Sequence, residues 1–341
     1  MIPPATRTRA IALLDRFAAT GAQVVQPPIL VPAGPLLDLY GEDIRARAFV
    51  TQDPLRGEAM LRPDFTVAIA QAHLDAADGP AAYAYLGEVF RRQEDDPDRP
   101  REYLQVGLER LGDADRAAAD ADVLASIAAA LRDADTAPAT GDLGLLIAAV
   151  DTLDTTPRRR AALRRHIWRP MRFRRLLDRF GTAVVPRPTP ATTAPLVGLR
   201  GAAEIAARHD ALAQDAATPP LPGQQVQALQ ALLDLSLPMD AAADRLAALT
   251  AALPGLLPAV ERFDARRRAL AARGIDTAAL PFAPARGRSA MEYYDGFTFT
   301  FARRDGGVVA TGGRYDALTT ALGGGHGVPA VGGVIRPGML P

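Results

Sequence analysis

An α+β fold, a mainly antiparallel sheet flanked by helices with a helical insert, is predicted by three features of the sequence. Residues 82–112 read as two strands joined by a long charged loop. Phe297, Phe299 and Phe301 alternate with Thr298 and Thr300, the period-2 pattern of a strand with one apolar and one polar face. Between these β-rich parts lies a run of Ala/Leu-rich helical segments, roughly 155–254, punctuated by Pro/Thr linkers.

A chain of 341 residues with 48% hydrophobic content can build a sizeable core, and no apolar run approaches membrane-spanning length. The opening MIPPATRTRA shows no secretory signal, so a cytoplasmic address is expected. Net charge is zero, which removes any global electrostatic argument for nucleic acid. There are no cysteines, so disulfides and thiolate metal sites are excluded. His73, His166, His209 and His326 are scattered, with no pair at metal-ligand spacing, and no metal or cofactor is expected. The sequence contains no lysine and no asparagine, while Ala, Arg, Gly and Pro abound. Such a coding bias lowers the weight that arginine runs carry.

In chain order, Thr6–Thr20 is an amphipathic helix with Ile11, Leu13, Leu14 and Phe17 near one face, stopped by Gly21. Ala22–Pro28 is a short strand ending in prolines, and Leu36–Tyr40 suits a helical turn. Ala48–Asp53 and Glu58–Arg62 form a hairpin through Pro54-Leu55-Arg56-Gly57. A helix follows from Val67 to about Ala76, with Asp64 and Thr66 where it begins; both residue types suit capping, and both could offer oxygens to an ammonium.

In the central hairpin, Tyr83–Arg92 and Arg101–Leu111 are the strands, and Gln105 and Glu109, four apart, share one face. Arg91 closes the first strand. An arginine facing polar and acidic groups across a hairpin can receive a zwitterion or a phosphate; it can equally be an ion-paired, solvated face.

Asp120–Arg132 is helical, and Leu143–Val150 is a buried strand or a short helix that periodicity does not separate. Arg158–Phe180 interleaves arginine clusters with Trp168, Phe173 and Phe180, a texture of RNA-binding surfaces. The coding bias and the compensating acids favour solvated helices instead. Further helices are expected at Gly201–Ala213, Gln224–Leu235, Asp240–Ala252 and Pro258–Arg273. A Pro/Thr linker runs from Pro186 to Pro195. Asp305-Gly306-Gly307 turns the phenylalanine strand back onto Val308–Ala310, and Thr311-Gly312-Gly313-Arg314-Tyr315-Asp316 follows.

Taken together, these segments resemble a class II aminoacyl-tRNA synthetase core, specifically the histidyl-tRNA synthetase family. LRPDFT resembles that family's LRPEGT, and YLGEVFRRQ…REYLQVGLERLG its motif 2 hairpin. MEYYDGFTF resembles the LDYYTG segment, TGGRYDAL the GGRYDGL segment, and VPAVGGVIRPGML motif 3. Order and spacing hold over about residues 1–150 and 275–341. The resemblance implies a synthetase-like core in two parts, 1–154 and 255–341, around a helical insert at 155–254.

It also implies histidine recognition by Asp64, Thr66, Gln105, Glu109, Tyr294 and Tyr315, with Arg91 as the motif 2 arginine, a vestigial phosphate- or carboxylate-binding group. Three departures bear on activity. Ser289 stands four before Tyr293, where the family has its activating arginine, with Arg288 one residue off and so on the other face of a strand. Met339 stands at the motif 3 arginine, with Arg336 where the family has a small residue, and Gln93 replaces a motif 2 glutamate. Loss of such preorganised charges typically costs about 3 kcal/mol each in transition-state stabilisation.

The chain stops just past motif 3, so no C-terminal anticodon-binding domain is expected and tRNA is an unlikely partner. A core with these departures resembles the ATP phosphoribosyltransferase regulatory subunit family. That resemblance implies no active site of its own and a hetero-oligomer with the short-form ATP phosphoribosyltransferase catalytic subunit. The pair would perform the first step of histidine biosynthesis, in which ATP and phosphoribosyl pyrophosphate give phosphoribosyl-ATP and pyrophosphate. Histidine would be a possible feedback effector, and self-association through the motif 1 region, Gln23–Pro35, is also implied. The alternatives are a divergent histidyl-tRNA synthetase, or an amino-acid- or RNA-binding paralogue of another pathway.

Overall fold

The computed structural model describes residues 2–34, 37, 48–76, 79–92, 100–183, 201–287 and 293–340. The expected turn at 36–40, the 93–99 hairpin loop with Gln93, the Pro/Thr linker at 186–195, and Arg288 and Ser289 lie outside those residues, Leu37 excepted.

Helix α1 (Pro4–Ala18) starts on a proline whose missing N–H costs nothing at a helix start, and it buries Ala10, Leu13 and Phe17. Strands β1 (Gln23–Val24) and β2 (Leu30–Pro32) follow, then the expected hairpin of β3 (Val50–Asp53) and β4 (Gly57–Leu61). Its turn is set by Gly57 at φ +83° and by Asp53, whose carboxylate accepts the Leu55 and Arg56 amides. After α2 (Thr66–Ala76) comes the central hairpin, β5 (Ala81–Phe90) and β6 (Glu102–Leu111), paired residue for residue from Ala81–Leu111 to Phe90–Glu102.

Helix α3 (Arg116–Ala130) starts four residues earlier than the sequence suggests, because the Asp115 side chain accepts the Ala118 amide at 2.9 Å. Strand β7 (Thr136–Asp142) was not anticipated: TAPATGD carries no large β-former, and it is held by full pairing with a later strand. The ambiguous apolar run is helix α4 (Leu143–Asp151), capped by Asp142, whose carboxylate accepts the Gly144 amide.

Helices α5 (Pro157–Arg165), α6 (Pro170–Phe180), α7 (Ala202–Ala217) and α8 (Gly223–Asp234) come next. They are followed by β8 (Leu237–Pro238), α9 (Met239–Leu249) and α10 (Leu257–Ala272). Phe173 and Phe180 are core residues, and Trp168 packs partly buried against the core. The aromatics of this stretch therefore do not form a stacking platform among the arginines. Buried Arg159 donates to Asp215 Oδ1 at 2.7 Å and to the Asp215 and Pro219 carbonyls, tying α5 to α7, which has no buried residue of its own.

The chain ends with β9 (Pro281–Phe282), β10 (Phe297–Arg303), β11 (Val308–Arg314), α11 (Asp316–Leu322) and β12 (Ala330–Ile335). One nine-stranded sheet has the order β1-β5-β6-β12-β11-β10-β7-β9-β8, antiparallel except at β1–β5 and β7–β9; a second has the order β2-β4-β3. The mainly antiparallel α+β fold is as the sequence predicts. The helical stretch touches the sheet directly, since β8 pairs with β9 and α8 packs on α4.

The alternation of β10 sets the two faces of the sheet. The Phe299 ring covers Gly312 and Gly333, and Ile127 of α3 packs behind them. Thr298 faces the other way and donates to the Arg286 carbonyl at 2.9 Å. That second side is polar in composition yet Thr298 is buried, because residues 283–287 cross over it. It is the face on which Gln105 and Glu109 lie.

Candidate amino-acid pocket

Strand alternation places Tyr83, Tyr85, Gly87, Gln105 and Glu109 of the central hairpin on one face of the sheet. Register carries that face across to Gly332 of β12, opposite Glu109, and to Gly313 of β11, opposite Gly332. Both glycines are needed. A Cβ on Gly332 would sit 1.5 Å from Glu109 Oε2, and one on Gly313 would sit 2.8 Å from the Tyr294 ring.

Glu109 is the centre. Thr66 Oγ1 donates to its Oε1 at 2.9 Å and Tyr85 OH to the same oxygen at 3.1 Å, while Tyr315 OH donates to Oε2 at 2.6 Å. All four side chains are buried. Burial pushes the Glu109 carboxyl up to about 7; the hydroxyls of Tyr315, Thr66 and Tyr85 oppose that shift and neighbouring Asp64 adds to it. Burial, and then the charge of Glu109, push both Tyr85 and Tyr315 well above an ordinary phenol.

Asp64 is the second acid. Among the described residues, neither of its buried oxygens meets a well-aligned donor. Burial raises its pKa, against Arg91 and the nearby Val67 and Thr66 amides. Two buried acids side by side, one without a hydrogen-bonded partner, make a receptor for a cation. Thr66, which suits a cap in sequence, instead spends its hydroxyl on Glu109.

Aromatic rings wall the space. Phe65 stacks on Tyr85 with centroids 4.4 Å apart, and Tyr293 stands edge-on to both Tyr294 (4.8 Å) and Tyr315 (5.8 Å). Tyr294 is buried within electrostatic reach of Glu109, Asp64 and Arg336, and burial raises its pKa. Arg91 donates from Nε to the Pro63 carbonyl at 2.8 Å, which fixes it beside the Asp64 loop.

The structure thus gathers Asp64, Thr66, Glu109, Tyr294 and Tyr315 around one point, with Arg91 at the edge and Gln105 buried on the same face. Sequence reasoning missed Tyr85 and Phe65. The period-2 run containing Tyr85 was visible, and its position opposite Gly107 in the hairpin would have placed it beside Glu109.

A second charged cluster, also missed, braces the pocket from behind. Asp120 of α3 accepts from Arg314 Nη2 at 2.7 Å and from Arg266 Nη1 at 3.1 Å, and Arg266 also pairs with Asp142. Arg314 continues to Asp316 at 2.8 Å. Asp295 accepts the amides of Asp316 and Ala317, and burial and then Asp316 push its carboxyl up to about 6. Because Asp295 follows Tyr294 and Arg314 precedes Tyr315, the cluster fixes the backbone on which both pocket tyrosines stand. Clefts of about 510 and 320 Å³ share Gly144, Arg262 and Asp295 and open beside this cluster, away from Glu109.

Thr66→Val should remove one donor from Glu109 and lower stability by about 1–2 kcal/mol. Urea denaturation checks this, with Thr66→Ser expected to restore most of the loss.

Among the described residues, no group of three His, Asp or Glu is placed to hold a metal, and no helix is long and apolar enough to cross a membrane.

The sequence model of the histidyl-tRNA synthetase family matches residues 5–215 and 200–339. The ATP phosphoribosyltransferase regulatory subunit of Allorhizobium ampelinum is 34% identical over 94% of this chain and 93% of its own length. The protein of the same name from Brucella anthropi is 34% identical over 91% of this chain and 90% of its own length. Among solved structures, a Bacillus halodurans protein described as an ATP phosphoribosyltransferase regulatory subunit/histidyl-tRNA synthetase superposes with TM-score 0.70. It is 20% identical, over 98% of this chain and 77% of that one. A histidine–tRNA ligase subunit from Alicyclobacillus acidocaldarius gives TM-score 0.61 at 21% identity, over 99% of this chain and 95% of that one. These structures share the class II synthetase fold with this chain.

Proposed function

The chain belongs to the histidyl-tRNA synthetase-like family of ATP phosphoribosyltransferase regulatory subunits, and from that premise we propose that it is the noncatalytic partner of a short-form ATP phosphoribosyltransferase catalytic subunit. It would act in the cytoplasm at the first step of histidine biosynthesis. The observation that carries this reading is the 34% identity to proteins of that name along nearly the whole chain. The site chemistry supports it: Asp64, Thr66, Glu109, Tyr294 and Tyr315 gather in one buried pocket, while Met339 stands where a motif 3 arginine would meet the phosphates of ATP.

In this reading the pocket holds free histidine. Glu109, Asp64 and Thr66 would take the ammonium, Gln105 would stand alongside, and Tyr294 and Tyr315 would orient the imidazole. Histidine would lower the activity of the complex by binding more tightly to its less active state, since only differential affinity moves a population. Self-association through the segment from Gln23 is supported by the exposure of Val24, Ile29 and Leu30 there; Pro35 lies outside the described residues.

Co-purification tests the assignment. The chain, tagged and recovered from its native cell, should bring down a short-form ATP phosphoribosyltransferase catalytic subunit in near-stoichiometric amount. Recovery of tRNA-His in its place would support the divergent synthetase reading.

Protonation gives a further check. An unfolded Glu109 would release its proton near the ordinary value of 4.5, whereas in the fold it holds it to about 7. Between those values the native state carries the extra proton, so this residue's contribution to stability is greatest at low pH and falls as pH rises through the window, by roughly 3 kcal/mol. Urea denaturation from about pH 5 to about pH 8 should show the wild type losing stability relative to Glu109→Gln. Parallel curves would contradict the buried, protonatable state of Glu109.

A further inference from the structure

We infer that Arg336, just beyond the end of β12, is the residue that binds the α-carboxylate of an amino acid in the Glu109 pocket. This rests on reading the pocket as an amino-acid site.

Two kinds of observation support it. The first is placement. Gly332, Val334 and Arg336 alternate onto the same face, and Gly332 lies directly under the Glu109 carboxylate. The pairing of Ile335 with Val106 puts Arg336 beside Gln105, so the strand runs from the acidic centre of the pocket to a guanidinium on its own surface. Tyr294 lies within electrostatic reach of both Glu109 and Arg336, and Arg336 is also close to Tyr103 and Arg91.

The second is charge balance. Three of the four buried arginines among the described residues, 159, 266 and 314, each meet an aspartate, and the fourth, Arg62, is held by short bonds to the Glu88 and Pro27 carbonyls at 2.7 and 2.6 Å. Half-buried Arg336 meets none among the described residues. Among the described residues its side chain meets the Tyr103 hydroxyl and makes two long bonds, to the Val308 carbonyl at 3.4 Å and Thr311 Oγ1 at 3.3 Å. A guanidinium offers five donors in a fork suited to a carboxylate, and these contacts leave that capacity largely unused.

On the same face, among the described residues, Glu109 is bonded only to hydroxyls and Asp64 has no well-aligned donor. A ligand with an ammonium and a carboxylate on one carbon supplies both missing charges at once. An amine without the carboxylate, or an acid without the amine, supplies only one.

The test is a thermodynamic cycle by calorimetry on the full chain, with L-histidine and L-histidinamide as ligands and wild type, Arg336→Gln and Arg336→Lys as proteins. Thermal melts confirm that each variant is folded. Wild type should bind histidine about tenfold to a hundredfold more tightly than the amide, the range expected of a charge-assisted bond. Arg336→Gln should abolish that preference by weakening histidine alone, and Arg336→Lys should keep part of it. An equal preference in wild type and Arg336→Gln would overturn the role of Arg336 while leaving the pocket reading intact. Failure of the wild type to bind either ligand would overturn both.

Discussion

Asp120→Ala should be strongly destabilising, with a loss of about 3–5 kcal/mol in denaturant unfolding. Asp120 is 2% exposed and is shared by Arg266 and Arg314, both buried. Its removal takes a shared carboxylate from two buried guanidiniums, leaving Arg314 with Asp316 and Arg266 with Asp142 among the described residues. Each buried guanidinium then loses charge-assisted bonds that nothing replaces, so the loss should exceed that of a typical surface ion pair several-fold. The same variant should weaken histidine binding although Asp120 touches no ligand, because Tyr294 and Tyr315 adjoin Asp295 and Arg314. Asp120→Asn, which keeps the shape and can accept from one arginine, should fall between. Wild-type stability in Asp120→Ala would mean that the cluster does not brace the core.

Glu109→Ala should weaken histidine binding by about a hundredfold, the upper end of the range expected of a charge-assisted contact, because the site is buried. It also leaves three hydroxyls, those of Thr66, Tyr85 and Tyr315, without their acceptor. The stability cost is partly offset, because burial disfavours the charged form of Glu109. The binding loss should therefore outweigh the stability loss. Gln105→Ala should weaken binding less, since an amide offers the ligand a neutral partner. In the assembled complex, histidine inhibition unchanged in both variants would remove this pocket from the regulatory mechanism.

What could be read from the sequence follows how local the determining interactions are. The β5–β6 hairpin, the phenylalanine strand and the helices from Gln224 onward were legible because each declares itself within a dozen residues through alternation, helical spacing or a turn. Strand β7 was not, since TAPATGD has little intrinsic strand preference and exists because β10 pairs along its whole length. The character of Leu143–Val150 was open by periodicity, yet Asp142 just before it was a cap signal that settles the matter. Of the residues carried by resemblance, Asp64, Thr66, Glu109, Tyr294 and Tyr315 gather in one pocket, with Gln105 on the same face and Arg91 at its edge. The Asp120–Arg314 link could not be seen, because its partners are 194 residues apart and nothing in either neighbourhood points to the other.

The central claim is that this chain regulates an ATP phosphoribosyl transfer it does not itself catalyse. The direct measurement is phosphoribosyl-ATP formation by a purified short-form catalytic subunit, titrated with this chain in the presence and absence of histidine, beside a histidine-dependent ATP–pyrophosphate exchange assay on the chain alone. Stimulation that saturates with added chain and is reversed by histidine, with no exchange activity, is the predicted outcome. An unaffected catalytic subunit, together with robust exchange by the chain alone, would contradict it.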